Sequence, residues 1–220
     1  SDRDGGNLDI YAQSVADGRV RRITSDPADD REPALSPDGR MIAWRSDRLA
    51  GGIYAAPADG SAAPRWIANQ GRRPRFSPDG SRIAFWARTL QAEDVGAIYV
   101  MPASGGTPRR LAASFYSALY PVWSADGRYV LFLGSPTKGA TLDFWVTPAE
   151  DGPAENVEAY RIVRRWFLSA MVPDAWVNDT LYFTARSGER TGIWQLRIPT
   201  KTRRAEGDSQ RILEGDADFH

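Results

Sequence analysis

One phrase, written four times, constrains this chain more than anything else in it. PALSPDGRMIAWRSDR (33–48) returns as PRFSPDGSRIAFWART (74–89) and PVWSADGRYVLFLGSP (121–136), with a worn copy, DAWVNDTLYFTARSGE (174–189). Ser36, Ser77 and Ser124 lie 41 and 47 residues apart. Self-similarity at such a period means supersecondary units that stack on one another.

Each copy is followed by a second phrase: GGIYAAP (51–57), GAIYVMP (96–102), LDFWVTP (142–148) and TGIWQLR (191–197). LDIYAQS (8–14) supplies a fifth. A third phrase closes most units: RRIT (21–24), RWIA (65–68), RRLA (109–112) and RILE (211–214). In the remaining unit ENVEAYRIV (155–163) is the candidate.

The chemistry of one unit is that of a hairpin. In Ser36-Pro37-Asp38-Gly39 and Ser77-Pro78-Asp79-Gly80 the proline presets φ, the aspartate bonds the local backbone, and the glycine takes a left-handed conformation. Ser124, Asp126 and Gly127 repeat the pattern with alanine in place of proline. On the flanks Ile42 with Trp44, and Ile83 with Phe85, fall on one face, and Arg82 with Ala84 on the other. That is the period expected of half-buried strands. A second strand carries the Ile-Tyr or Ile-Trp pair, and Gly-rich turns at 58–64 and 103–108 lead to the last. The residues at 155–171 are the best helical candidate; they read equally as an outer strand plus a long connection, and strand is preferred.

The fold expected is all-β: a β-propeller of four-stranded antiparallel blades, about four full blades and a partial one, in a single region over 1–220. The units run approximately over 1–30 (partial), 31–71, 72–119, 120–171 and 172–220. One blade cannot bury both its faces, so aromatics such as Trp44, Tyr54, Trp86, Tyr99, Trp123, Trp145 and Trp194 are expected between blades. With five copies of the second phrase and four of the first, the expectation is a window on a larger propeller of six or more blades, whose open edges favour self-association.

The combination P-x-x-S-P-D-G-x-x-I-A-F, then D-I-Y and R-R-I-T, resembles the Pro-Asp variant of the WD-type propeller repeat. It is similar to the repeat of TolB-like proteins and to the propellers of prolyl-oligopeptidase-like and tricorn-like peptidases. REPALSPDG, GRRPRFSPDG and YPVWSADG also resemble C-terminal propellers of bacterial signalling proteins, which carry a protein kinase or a winged-helix module elsewhere. The resemblance implies a non-catalytic scaffold that binds a protein or peptide. Its alternative is an accessory propeller that gates substrate or senses for a peptidase, kinase or transcriptional regulator. It implies an extracytoplasmic bacterial location, periplasmic or membrane-associated, with the cytoplasm as the alternative.

Searching for chemistry turns up little. The only histidine is His220, the final residue, and a Ser-His-Asp triad needs a positioned base. There is no G-x-S-x-G elbow, P-loop or G-x-G-x-x-G, and with no cysteine there are no thiolate metal sites. The carboxylate pairs Asp29 with Asp30 and Glu93 with Asp94 fall in loops. The expectation is therefore a chain with no catalytic residue and no cofactor. The weak metal candidates are Asp2, Asp4, Asn7 and Asp9 in SDRDGGNLDIY (1–11), whose oxygen-rich spacing could suit calcium but equally suits a turn. The other channel hypothesis is a sensor holding a small ligand or ion.

Charge argues against nucleic acid as partner: 28 basic residues balance 28 acidic ones. Yet 26 of the basic residues are arginines, only Lys138 and Lys201 being lysines, and several cluster: Arg72, Arg73 and Arg75, Arg109 with Arg110, Arg164 with Arg165, Arg203 with Arg204. No apolar run approaches the ~20 residues of a spanning helix. Longer segments at 87–97, 134–142 and 149–171 are expected to build a polar surface for a protein or peptide.

Overall fold

The computed structural model describes residues 6–49, 51–89 and 95–215. Asp2, Asp4, Glu93, Asp94 and His220 lie outside the described residues. β1 (Tyr11–Gln13) and β2 (Val20–Arg22) form a two-stranded sheet. Four four-stranded antiparallel blades follow. The first holds β3 (Asp30–Leu35), β4 (Met41–Ser46), β5 (Gly52–Pro57) and β6 (Arg65–Asn69). The second holds β7 (Gly71–Phe76), β8 (Arg82–Arg88), β9 (Gly96–Pro102) and β10 (Arg109–Leu111). The third holds β11 (Ser117–Trp123), β12 (Tyr129–Ser135), β13 (Asp143–Pro148) and β14 (Glu155–Asn156). The fourth holds β15 (Leu168–Val177), β16 (Thr180–Ser187), β17 (Arg190–Arg197) and β18 (Glu206–Gly215). Tyr11 opposes Arg22 as Tyr54 opposes Trp66 and Tyr99 opposes Arg110, so β1 and β2 are the third and fourth strands of a blade.

The core lies between blades, and this corrects the expectation of half-buried strands. In β8 Ile83 and Phe85 join a cluster with Ala43, Ile53 and Ala55 of the first blade. Ala84 and Trp86, on the other face, join Leu119, Val130 and Phe132 of the third. A middle strand sandwiched between two neighbours buries both faces, and the alternation separates bulky from small side chains instead of apolar from polar. The small Ala43 and Ala55 give room to Phe85 and Met101, so facing sheets interdigitate at close packing. Trp44 and Tyr54 stack at 6.3 Å and cluster with Ile10, just before β1; Phe85 and Tyr99 stack at 5.4 Å. Trp66 and Trp166, 55% and 42% exposed, stay outside these clusters.

The second correction concerns 155–171. The outer strand β14 covers only two residues, and 160–166 are helical, not extended: α1 (Tyr160–Val163) runs into a 3-10 turn at Arg164–Trp166. Ile162 and Val163 bury in the core between third and fourth blades, and Phe167 ends the turn with φ of 51°. A helical turn lets both residues point inward while the chain crosses from the rim to the axis. The long segment at 149–171 is also two connections. Residues 149–154 lie at one end of the blades, while 157–167 lie at the other, with the loop after β12. Among the described residues no helix is long and apolar enough to cross a membrane.

Candidate ligand-binding cleft

The first strand of each four-stranded blade breaks register: between Arg31 and Ala34, Arg72 and Arg75, Leu119 and Val122, and Ser169 and Val172. At each break one residue has positive φ: Glu32 (55°), Arg73 (46°), Tyr120 (56°) and Ala170 (48°). The first three directly precede Pro33, Pro74 and Pro121. Such a conformation costs a non-glycine residue about 1–3 kcal/mol and persists only where neighbours hold it. Here the neighbours are one another. The Glu32 carboxylate accepts the Arg73 backbone N–H at 2.7 Å. The Arg73 guanidinium lies 5.2 Å from the Tyr120 ring centroid, and Tyr120 packs edge-on against Trp86 at 5.3 Å. Arg73 also reaches Asp174 of the fourth blade at 3.7 Å. The bulges of the first three blades thus form a connected chain, which Arg73 ties to Asp174 of the fourth.

These strands enclose a cleft of about 960 Å³. Its charged wall carries Arg31, Arg45, Arg72, Arg73 and Arg75, with Asp9, Asp30, Glu32 and Asp174. The acids are held. Buried Asp9 pairs with Arg22 and accepts from the Thr24 hydroxyl at 3.1 Å; buried Asp30 pairs with Arg48 at 2.7 Å. Asp174 accepts the Thr184 N–H at 2.9 Å and its hydroxyl at 2.7 Å. Arg31 and Arg45 pair with Asp29 and Asp47. Arg72 instead lies 5.5 Å from the Trp86 ring centroid, and among the described residues the Arg75 side chain donates only to the Pro74 carbonyl at 3.3 Å. Burial lowers the pKa of both; Arg45 and Arg88 lower Arg72 further, and Arg73 does so for Arg75, with Glu32 opposing in each case. Both stay protonated, because the reference value is far above neutral.

Other sequence-singled residues stand elsewhere. Asn7 donates through its amide to the Asp26 carbonyl at 2.8 Å, and Asp9 is engaged as above, so the two do not converge on one point. Among the described residues no three His, Cys, Asp or Glu side chains group as metal ligands. The turn residues close hairpins at the far end of the blades. Each serine hydroxyl donates to its aspartate, at 2.6, 2.5 and 2.6 Å for Ser36, Ser77 and Ser124, and accepts a backbone N–H five residues on. Asp79 falls to about 2, mainly through the Ser77 hydroxyl and then Ser81. Of the arginine clusters only Arg72, Arg73 and Arg75 reach the cleft; Arg109, Arg165, Arg203 and Arg204 meet carboxylates elsewhere. Sequence reasoning missed Tyr120 and Asp174. The signal for Tyr120 was its place before the repeated proline, a position that reads Glu, Arg and Tyr while its surroundings recur.

Comparison with known proteins places this architecture. No family model matches the chain. The uncharacterized peptidase YuxL of Bacillus subtilis is 28% identical over 121 residues, 51% of this chain and 18% of that protein. The Tol-Pal system protein TolB of Anaeromyxobacter dehalogenans is 37% identical over 124 residues, 55% of this chain and 28% of that protein. The chain therefore spans less than a third of either relative. The structure of a putative TolB from Agrobacterium tumefaciens superposes with a TM-score of 0.68 at 20% identity, covering 90% of this chain and 66% of that one. In fold, the chain is a TolB-like β-propeller.

Proposed function

We propose that the chain is a non-catalytic recognition module that binds a protein loop or peptide in the cleft along its inner strands. The observation that supports this most is the cleft wall itself: backbone strained at successive bulges, with the residues there fixed by their neighbours, makes a rigid, polar, pre-formed surface. The resemblance to a Tol-Pal system protein agrees with it and favours an extracytoplasmic setting. Peptides selected for binding from a random 12-residue library test the reading. They are expected to lose the protein when Pro33, exposed on the cleft wall, becomes tryptophan, and to keep it when rim Trp66 becomes alanine. Selected peptides indifferent to Pro33→Trp would overturn the reading.

A second reading, an accessory propeller that filters substrate for a peptidase domain, is favoured by the likeness to YuxL. It predicts a hydrolase domain in the same polypeptide whose cleavage of large substrates rises when the cleft is widened.

A further inference from the structure

We propose that the β7 wall of the cleft is an anion-recognition surface that takes the carboxylates of an acidic peptide, with Arg72 the primary contact and Arg75 the second. The proposal rests on the reading of the cleft as a peptide site and adds the chemistry of the peptide.

Charge pairing carries the argument. Every carboxylate on the wall has a partner from its own protein: Asp9 has Arg22, Asp30 has Arg48, Glu32 has the Arg73 amide, and Asp174 has Thr184. Arg72 and Arg75 meet no carboxylate among the described residues. A guanidinium drawn partly out of water without an anion is unfavourable, and an incoming anion relieves it. Arg45 and Arg88 add positive charge around Arg72; the acids opposing them are Glu32, which accepts the Arg73 amide at 2.7 Å, and Asp47, held by Arg45 at 2.7 Å. The Arg72 guanidinium lies over the Trp86 ring, 5.5 Å from its centroid, and a guanidinium's planar fork of donors can grip a carboxylate with two parallel bonds. An adjoining pocket of about 300 Å³ beside Arg72 is lined by Gly51, Gly52 and Gly71 together with Arg45, Asp47 and Arg88.

The same wall disfavours a polyanion. A nucleic-acid strand would carry a charge every few ångströms past Glu32 and Asp174, whereas a peptide can space its carboxylates to meet Arg72 and Arg75 and spare the acids.

Calorimetry with an acetylated, amidated Glu-Gly repeat peptide tests this, alongside its Gln-Gly counterpart, a neutral peptide selected for cleft binding, and a ten-residue thymidine oligonucleotide. The Glu peptide is expected to bind at least 10-fold more tightly than the Gln peptide, and less tightly as salt rises. Arg72→Gln is expected to weaken it about 10-fold or more, Arg72→Lys by less, and the rim control Arg204→Gln not at all. Thermal melts confirm that each variant folds; Arg75→Gln supplies a second test on the same wall. Equal binding of Glu and Gln peptides, no measurable binding of the Glu peptide, indifference to both Arg72→Gln and Arg75→Gln, or tighter binding of the oligonucleotide would each overturn the proposal. A neutral peptide that still needs Pro33 while Arg72 is dispensable leaves the cleft reading standing and removes only the anion surface. If Pro33→Trp spares every peptide, the cleft reading falls with it.

Discussion

Replacing Ser77 with alanine should destabilise the protein by about 2 kcal/mol, because one hydroxyl closes a whole turn. Ser77 is 0% exposed. Its Oγ donates to Asp79 at 2.5 Å and accepts the Arg82 N–H at 3.0 Å. Alanine removes both bonds. Each is worth about 0.5–1.5 kcal/mol net, and the stranded Arg82 N–H adds to the loss. For a chain of 220 residues that lowers the melting temperature by about 4–8 °C. Urea unfolding followed by tryptophan fluorescence reads it, with no change in the slope against denaturant. The effect has a pH signature. Asp79 titrates near 2 in the folded protein against an ordinary value of 3.8. A carboxyl depressed on folding contributes stability above its unfolded pKa, and loses that contribution as pH falls from about 3.8 through 2. Without the Ser77 hydroxyl the Asp79 pKa moves back up. The variant's stability should therefore fall less steeply than the wild type's between pH 5 and 2.5. A loss under about 0.5 kcal/mol at pH 7, or parallel pH curves, would refute the reasoning.

Three further outcomes follow from other parts of the molecule. Phe132 is fully buried and packs edge-on to Phe115 at 5.2 Å, so Phe132→Ala should cost about 3–5 kcal/mol in urea unfolding. Glu32→Ala strands the Arg73 N–H and should cost about 1–2 kcal/mol, whereas Glu32→Gln keeps an acceptor and should cost less than half of that. A Cβ at Gly96 would sit 2.6 Å from Leu119 Cδ2 and 2.8 Å from Trp86 Cε3, so Gly96→Ala should lower stability by about 1–3 kcal/mol, read by calorimetric melting.

How much the sequence disclosed follows from which residues geometry forces to repeat. The Ser-Pro-Asp-Gly turns are legible because each residue answers a backbone demand, and that demand recurs in every blade. The worn fourth copy meets it differently: Asn178 and Asp179 take φ of 48° and 62°, and both residue types tolerate the left-handed region. The helical turn at 160–166 escaped because it is too short to show a period, and its two inward residues, Ile162 and Val163, are adjacent as in any apolar pair. Two-sided burial escaped because alanine carries little signal: Ala43 and Ala84 look like gaps between bulky residues, yet both are fully buried against a neighbouring blade.

The cleft was legible only in reverse. Positions that recur between blades serve the fold, so a position that changes inside an otherwise repeated phrase is released from that duty. The residue before the repeated proline is Glu32, then Arg73, then Tyr120, and the structure puts all three at strained bulges in contact with one another. The residues one and two places around it differ just as sharply: Arg31 and Ala34, Arg72 and Arg75, Leu119 and Val122. Among the described residues only the second blade places arginine on both sides of its bulge, and there Arg72 and Arg75 meet no described carboxylate while Leu119 and Val122 bury in the core. Fourfold repetition of backbone thus coexists with an asymmetric wall. If the cleft takes an acidic peptide as proposed, that asymmetry would orient it with its acidic side towards the second blade.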